Sequence, residues 1–232
     1  RTGDLHIKEF VEERELTVFI AVDISGSMET GSGDTTNREL AAELAATVAL
    51  SAIHNGDRVG LLLFADDVVK FVPPKKTRGH GLRVIREVLA AEAPEGATTD
   101  LRGALAHLGL LLKRRSVVFL ISDFLEVEGL EREVRALVQR HDLIPLHIRD
   151  PLDLDPQPIG TVFSRNPEAL AHLDFPLAFG GFREAYRQAV HEQVADVERL
   201  FRRANTDVIP ILLGESPVGP MLRYFKLRAR RH

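Results

Sequence analysis

An apolar run that ends in a carboxylate and two hydroxyls constrains this chain more than any other stretch. Residues 18–22 read Val-Phe-Ile-Ala-Val, and Asp23, Ser25 and Ser27 follow, with Gly26 between the two serines. A short continuous apolar run is typical of a parallel strand that is covered on both faces. In open α/β sheets, ligands bind outside the carboxyl ends of such strands. We therefore expect Asp23, Ser25 and Ser27 to lie where a ligand is held.

The side-chain oxygens of these three residues suit a hard cation. Glycine lets the backbone bend tightly, so alternating side chains can face one point. Mg²⁺, Mn²⁺ and Ca²⁺ prefer oxygen ligands, and one carboxylate with two hydroxyls leaves a divalent ion under-neutralised. Further oxygens are therefore required. Two segments offer them: 96–100, which contains Thr99 and precedes a predicted helix, and Asp123, which follows a second apolar strand.

Strand and helix patterns alternate along most of the chain. The patterns predict strands at 16–23, 58–64, 68–72, 117–121, 143–148 and 207–213, and helices at 38–54, 82–91, 100–112, 128–141, 182–203 and 221–231. Such alternation with apolar strands predicts an α/β fold, a doubly wound, mostly parallel sheet with helices on both faces. The 58–64 and 68–72 strands are expected to form a hairpin that leaves one antiparallel edge strand, with Pro73 and Pro74 ending the pairing.

The length of 232 residues suits a single α/β domain over 1–232. Within it, 1–15 is expected to form an N-terminal arm or edge strand, and 217–232 a basic C-terminal helix. Residues 150–181 break the alternation and are expected to form an insertion. Its small hairpin is predicted to pair 161–163 with 169–173 around Asn166 and Pro167.

Composition excludes several function classes. The formal net charge of −4 gives no general attraction to nucleic acid or to an anionic membrane surface. The chain has no cysteine, which excludes disulfides, thiol catalysis and cysteine-ligated zinc. No run approaches the ~20 apolar residues of a membrane helix. We expect a cytoplasmic protein, with an anchor upstream of Arg1 left open because the sequence does not begin with Met.

Three separated motifs together resemble the metal-ion-dependent adhesion site of the von Willebrand factor type A (vWA) fold. They are the 23–27 segment, the threonine loop before a helix, and an Asp after an apolar strand. More narrowly, the segments 5–10, 12–16, 56–60 and 122–124 are similar to a bacterial family known as domain of unknown function fifty-eight. The resemblance implies a vWA-like fold whose metal ligands are Asp23, Ser25, Ser27, Thr99 and Asp123, the last often acting through water. Phe124 departs from the pattern, because glycine is common at that position.

The resemblance also implies a non-catalytic role. A divalent cation, Mg²⁺ first and Mn²⁺ or Ca²⁺ as alternatives, accepts an Asp or Glu side chain of a protein partner. Family members are associated with MoxR-type AAA+ ATPases and with the assembly or remodelling of other proteins. Two alternatives stay open, a Mg²⁺- or Mn²⁺-dependent hydrolase and a scaffold with an inactive metal site. No enzyme is expected, since the chain lacks a Gly-x-Ser-x-Gly elbow and a phosphate-binding Gly-x-x-x-x-Gly-Lys loop.

Overall fold

The structure is a computed structural model that describes residues 15–32, 35–92, 96–156, 161–162, 175–176 and 180–229. Its strands are β1 Thr17–Asp23, β2 Arg58–Phe64, β3 Val68–Lys75, β4 Val117–Ser122, β5 Asp142–Arg149, β6 Thr161–Val162, β7 Phe175–Pro176 and β8 Ile209–Leu212. Its α-helices are α1 Asn37–His54, α2 Arg78–Leu89, α3 Leu101–Leu111, α4 Glu131–Arg140, α5 Pro151–Leu154, α6 Gly180–Arg203 and α7 Val218–Ala229. A 3-10 turn at Gly26–Glu29 follows β1. None of the helices in these ranges is long and apolar enough to cross a membrane.

The main sheet has six strands in the order β3-β2-β1-β4-β5-β8. Every neighbouring pair is parallel except β2 and β3, which are antiparallel. Residues of α1, α2 and α7 form a buried cluster on one face of the sheet, and residues of α3, α4 and α6 form another on the opposite face. The predicted doubly wound sheet with helices on both faces and one antiparallel edge strand is therefore confirmed.

Burial on both faces explains why β1 reads as a continuous apolar run. Ile20 and Val22 pack with α1 and α2, while Phe19 and Ala21 pack on the side of α3. All four side chains are at most 1% exposed. Alternate residues of a strand face opposite sides of a sheet, so a sheet covered twice needs apolar residues at every position.

The register of the central strands brings the proposed site together. β1 lies between β2 and β4, with Val22 paired to Ile121, so the carboxyl ends of β1 and β4 adjoin. The loop before α3 is fixed to the end of β2, since the Asp100 N–H donates to the carbonyl of Ala65 at 2.7 Å. Three loops therefore meet at one edge of the sheet.

The prediction that Pro73 and Pro74 end the second strand of the hairpin was wrong. β3 runs through both prolines to Lys75, which pairs with Val59 across a register shift. Proline lacks an N–H donor, but β3 is an edge strand, and only its inner side needs to pair with β2. The antiparallel hairpin itself is present.

The small hairpin has a different partner strand from the predicted one. Thr161 pairs with Pro176, and Val162 pairs with Phe175. Residues 169–173, which were expected to pair there, lie outside the described residues, as do 1–14 of the predicted N-terminal arm. The C-terminal helix begins at Val218, three residues before the start expected from the helical pattern.

Candidate metal-binding site

Asp23 is fully buried at the end of β1, and both of its carboxylate oxygens accept hydrogen bonds. The backbone N–H of Ser25 donates to Oδ1 at 2.9 Å, which closes a tight turn. The hydroxyl of Ser122 donates to Oδ2 at 2.7 Å. Ser122 was not predicted as a site residue, although the position just before Asp123 on an adjacent strand could have indicated it. These bonds hold the carboxylate in one orientation.

A cluster of hydroxyls lies beside this carboxylate. Ser25 Oγ and Ser27 Oγ are 3.2 Å apart, and Thr99 Oγ1 donates to Ser25 Oγ at 2.7 Å. The two loops are also joined through their backbones, because the Gly26 N–H donates to the carbonyl of Ala97 at 3.1 Å. A Cβ at Gly26 would come within 3.3 Å of that carbonyl oxygen, which favours glycine there. The structure thus brings together Asp23, Ser25, Ser27 and Thr99 from two separate loops.

Asp123 supplies a second buried carboxylate at the same edge. Its side chain is 3% exposed and follows β4 directly. Burial, and then the negative charge of Asp123, raise the pKa of Asp23 to about 7. Two buried carboxylates that repel each other are unfavourable unless one is protonated or a cation neutralises them.

The donor set fits a hard divalent cation on these observations. Two carboxylates and three hydroxyls are all oxygen ligands, and both carboxylates are withdrawn from water. Across the described ranges, no three His, Cys, Asp or Glu side chains come together in a way that could hold a metal. A cation here would therefore rely on the serine and threonine hydroxyls as well as on Asp23 and Asp123.

Phe124 adopts a backbone conformation that usually favours glycine. Its φ is +50°, in the left-handed region, and its N–H donates to Ser122 Oγ at 2.9 Å. The side chain is 1% exposed and packs edge-to-face on Phe201 at 5.3 Å and on His147 at 5.5 Å. The departure from the common glycine is explained by this buried contact, since the ring attaches the third loop to α6 and β5.

The backbone of the third loop is held from two further sides. Gln193 on α6 donates from Nε2 to the carbonyl of Phe124 at 2.6 Å. His147 on β5 is hydrogen-bonded to the backbone of Asp123, and its Nδ1 accepts from Arg149 Nε at 3.2 Å. Burial, with a smaller effect from Arg149, lowers the pKa of His147 to about 3, so the ring is neutral. Sequence reasoning missed both positions, because neither belongs to a local motif.

Replacing Gln193 by leucine is expected to lower the free energy of unfolding by about 1–3 kcal/mol, because the Phe124 carbonyl loses its donor. Urea unfolding measures the change. Gln188→Leu is the matched control, since Gln188 is exposed and, among the described residues, its side chain donates to Glu192 of the same helix. Its effect is expected to stay within about 0.5 kcal/mol. Equal effects of the two substitutions would contradict the role assigned to Gln193.

The chain matches the model of a known protein family. The model of a family described as "Protein of unknown function DUF58" matches residues 1–196, which is most of the chain. The chain belongs to this family. Uncharacterized proteins of Mycobacterium tuberculosis and Mycobacterium bovis are 26% identical to the DUF58 chain over 231 residues, covering 99% of it and 73% of each relative.

Solved structures share the fold of the DUF58 chain at low sequence identity. The conserved hypothetical protein BatB from Bacteroides thetaiotaomicron matches with a TM-score of 0.57 and 15% identity, covering 92% of this chain and 98% of that one. An aerotolerance-related membrane protein from Bacteroides fragilis matches with a TM-score of 0.54 and 18% identity, covering 89% and 96%. At such identities the likeness shows the fold alone.

Proposed function

We propose that this DUF58 chain is a non-catalytic protein-binding module that depends on a divalent cation, with Mg²⁺ as the first choice. The observation that carries the proposal is the convergence of Asp23, Ser25, Ser27 and Thr99 through hydrogen bonds of 2.7–3.2 Å, beside the buried Asp123. A cation bound there would keep positive charge and an open position for a carboxylate of the partner. The chain's own residues would hold and orient that ion.

Each element of the site has a distinct part in this proposal. Asp23 and Asp123 provide the negative charge that attracts a cation, while Ser25, Ser27 and Thr99 provide neutral oxygens. Neutral ligands leave the ion incompletely neutralised, so an incoming Asp or Glu side chain gains both coordination and charge neutralisation. The hydroxyl of Ser122 holds the Asp23 carboxylate in place, and this contact does not involve the hydroxyls of Ser25, Ser27 or Thr99.

The surroundings of the Asp23, Ser25 and Ser27 side chains support binding rather than hydrolysis. In the part of the chain that the structure describes, their hydrogen-bond partners are hydroxyls and one backbone N–H. None of these partners is a carboxylate or an imidazole, so Asp23, whose pKa is raised to about 7, would have to serve both as a metal ligand and as the base in a hydrolase. His147, the nearby histidine, accepts a hydrogen bond at Nδ1 from Arg149 Nε, and its pKa of about 3 makes it a weak base.

The partner proposed on the family resemblance is a MoxR-type AAA+ ATPase, with a role in the assembly or remodelling of other proteins. A module that binds a carboxylate suits such a role, because exposing or covering one acidic side chain of the partner would turn binding on or off. This partnership would depend on the metal site, so a protein without metal binding is not expected to bind such a partner.

Calorimetric titration of the metal-stripped protein with Mg²⁺ and Mn²⁺ tests the proposal. We expect saturable binding at one site in the wild type and no binding in Asp23→Ala/Ser25→Ala. Glu215→Ala/Ser216→Ala is the matched control, since it also removes one acid and one serine, both exposed in the turn after β8, and it is expected to bind normally. A wild type that binds neither ion would refute the proposal.

A further inference from the structure

The loops nearest the proposed site carry exposed acids and no basic residue. They are the described segments 65–67, 96–100 and 123–130, which all lie at the carboxyl edge of the sheet and which we call the site rim. Lys, Arg and His do not occur in any of the three segments. The exposed acids of the rim are Asp66, Asp67, Asp100, Glu126 and Glu128.

These rim acids are not neutralised by the nearest arginines. Among the described residues, none of the five forms an ion pair. Arg38, at the start of α1, pairs with Glu29 at 2.7 Å. Arg102, at the start of α3, pairs with Glu133 at 3.2 Å. The charge of the rim therefore acts on whatever approaches the site.

Basic residues also lie at the opposite, amino edge of the sheet. Lys113, Arg114 and Arg115 precede β4 there. Acids lie at that edge too, since Glu15 pairs with Lys76 at 2.7 Å and with Arg58 at 3.2 Å. The site rim differs by having acids alone, and such local charge steers a partner more than the net charge of −4 does.

We infer that the partner presents its metal-binding Asp or Glu within a basic surface, with Lys or Arg residues on both sides of the carboxylate. The inference rests on the proposed function and names the class of partner for that site. An acidic rim by itself would define no site, but the buried oxygen set at its centre supplies the docking point. A carboxylate flanked by acids would be repelled by the five rim charges, whereas basic flanks would be attracted to them.

The rim also offers one apolar contact. Leu125 follows Phe124 directly and is 36% exposed, although the ring beside it is buried. A basic segment with an apolar residue next to its carboxylate would therefore match both features. RNA or DNA is a poor match for this surface, because its phosphates would meet the exposed rim acids. Arg102, whose guanidinium donates to the carbonyl of Gly129 at 2.9 Å, is already paired with Glu133.

Fluorescein-labelled peptides of equal length test the inference by fluorescence anisotropy at low salt. One has the core Lys-Lys-Asp-Leu-Lys-Lys, one Glu-Glu-Asp-Leu-Glu-Glu, and one Lys-Lys-Asn-Leu-Lys-Lys. With Mg²⁺ present, the first peptide is expected to bind at least about tenfold more tightly than each of the others. Its binding is expected to vanish in EDTA and to weaken as the NaCl concentration rises.

Rim variants locate the effect on the protein. Glu126→Gln/Glu128→Gln is expected to weaken binding of the basic Asp peptide about threefold or more, while calorimetry still detects Mg²⁺. Glu43→Gln/Glu192→Gln removes the same charge from exposed positions on α1 and α6 and is expected to change little. Equal loss in both variants would attribute the effect to net charge and overturn the assignment to the rim.

The outcomes separate the two proposals. A wild type that shows no Mg²⁺ binding in calorimetry would refute the metal-dependent function itself. If Mg²⁺ binds but the basic Asp peptide does not, or binds no better than the acidic one, the inference about the partner fails while the metal site stands. Equal binding of the Asp and Asn peptides would overturn the inference too, since the attraction would then need no carboxylate.

Discussion

Replacing Phe124 by alanine is expected to lower the free energy of unfolding by about 3–5 kcal/mol. The ring is buried and packs between Phe201 of α6 and His147 of β5. Its removal leaves a cavity directly beneath the loop that carries Asp123. Because the loop is held by this packing, Mg²⁺ affinity is also expected to fall in the variant, which calorimetry would measure alongside urea unfolding.

Glycine is expected to be better tolerated than alanine at this position. Both substitutions create a similar cavity, but the φ of +50° strains any residue with a Cβ by about 1–2 kcal/mol. Phe124→Gly relieves that strain, although it also increases the entropy of the unfolded chain. We expect Phe124→Gly to be the more stable of the two by about 1 kcal/mol.

Leu105 provides the matched control for this comparison. It is buried in the middle of α3, where glycine costs about 1 kcal/mol relative to alanine. The order of the two substitutions should therefore reverse between Leu105 and Phe124. If alanine were the better residue at both positions, the left-handed backbone at Phe124 would not be a property of the folded protein.

The fold was largely predictable because most strands of the main sheet are buried on both faces. β1 and β4 appear as continuous apolar runs, and their carboxyl ends are marked by Asp23 and Asp123. The extent of β3 was not predictable in the same way. Proline ends a strand only where its missing N–H would have been needed, and the sequence around Pro73 does not show which side of the strand is paired.

Much of the candidate site could also be predicted from local motifs, whereas the residues that hold its loops in place could not. The 23–27 segment and the threonine loop were expected to share one edge of the sheet, and Thr99 does contact Ser25 there. Ser122 reaches Asp23 through the pairing of two strands that lie far apart in the sequence. Gln193 reaches the loop from a helix about 70 residues away, a distance over which no spacing rule applies.

Asp23→Asn is expected to become more favourable, relative to the wild type, as the pH of the metal-free protein rises. The pKa of Asp23 is raised to about 7 in the folded chain from an ordinary value of 3.8, so the folded state binds an extra proton between these values. The free energy of unfolding of the wild type therefore falls with rising pH in this window. Between pH 4.5 and 7.5 the contribution is about 3 kcal/mol.

The wild type must be compared with the variant, because His147 changes the free energy of unfolding with pH in the opposite direction. Its pKa is lowered from 6.5 to about 3, so the unfolded state binds the extra proton between these values, and stability rises with pH there. The two effects largely cancel in the wild type between pH 4 and 6.5. Asp23→Asn retains His147, so the difference between the two proteins isolates the buried carboxylates.

Urea unfolding in EDTA at pH 4.5 and 7.5 measures this difference, with Asp66→Asn as the control for an exposed acid of the rim. Added Mg²⁺ at pH 7.5 is expected to stabilise the wild type and Asp66→Asn but not Asp23→Asn, since a cation favours the ionised carboxylate. A difference that does not change with pH would mean that Asp23 ionises normally in the folded chain. The repulsion between two buried carboxylates would then be absent, and with it the main electrostatic reason for a cation at this edge.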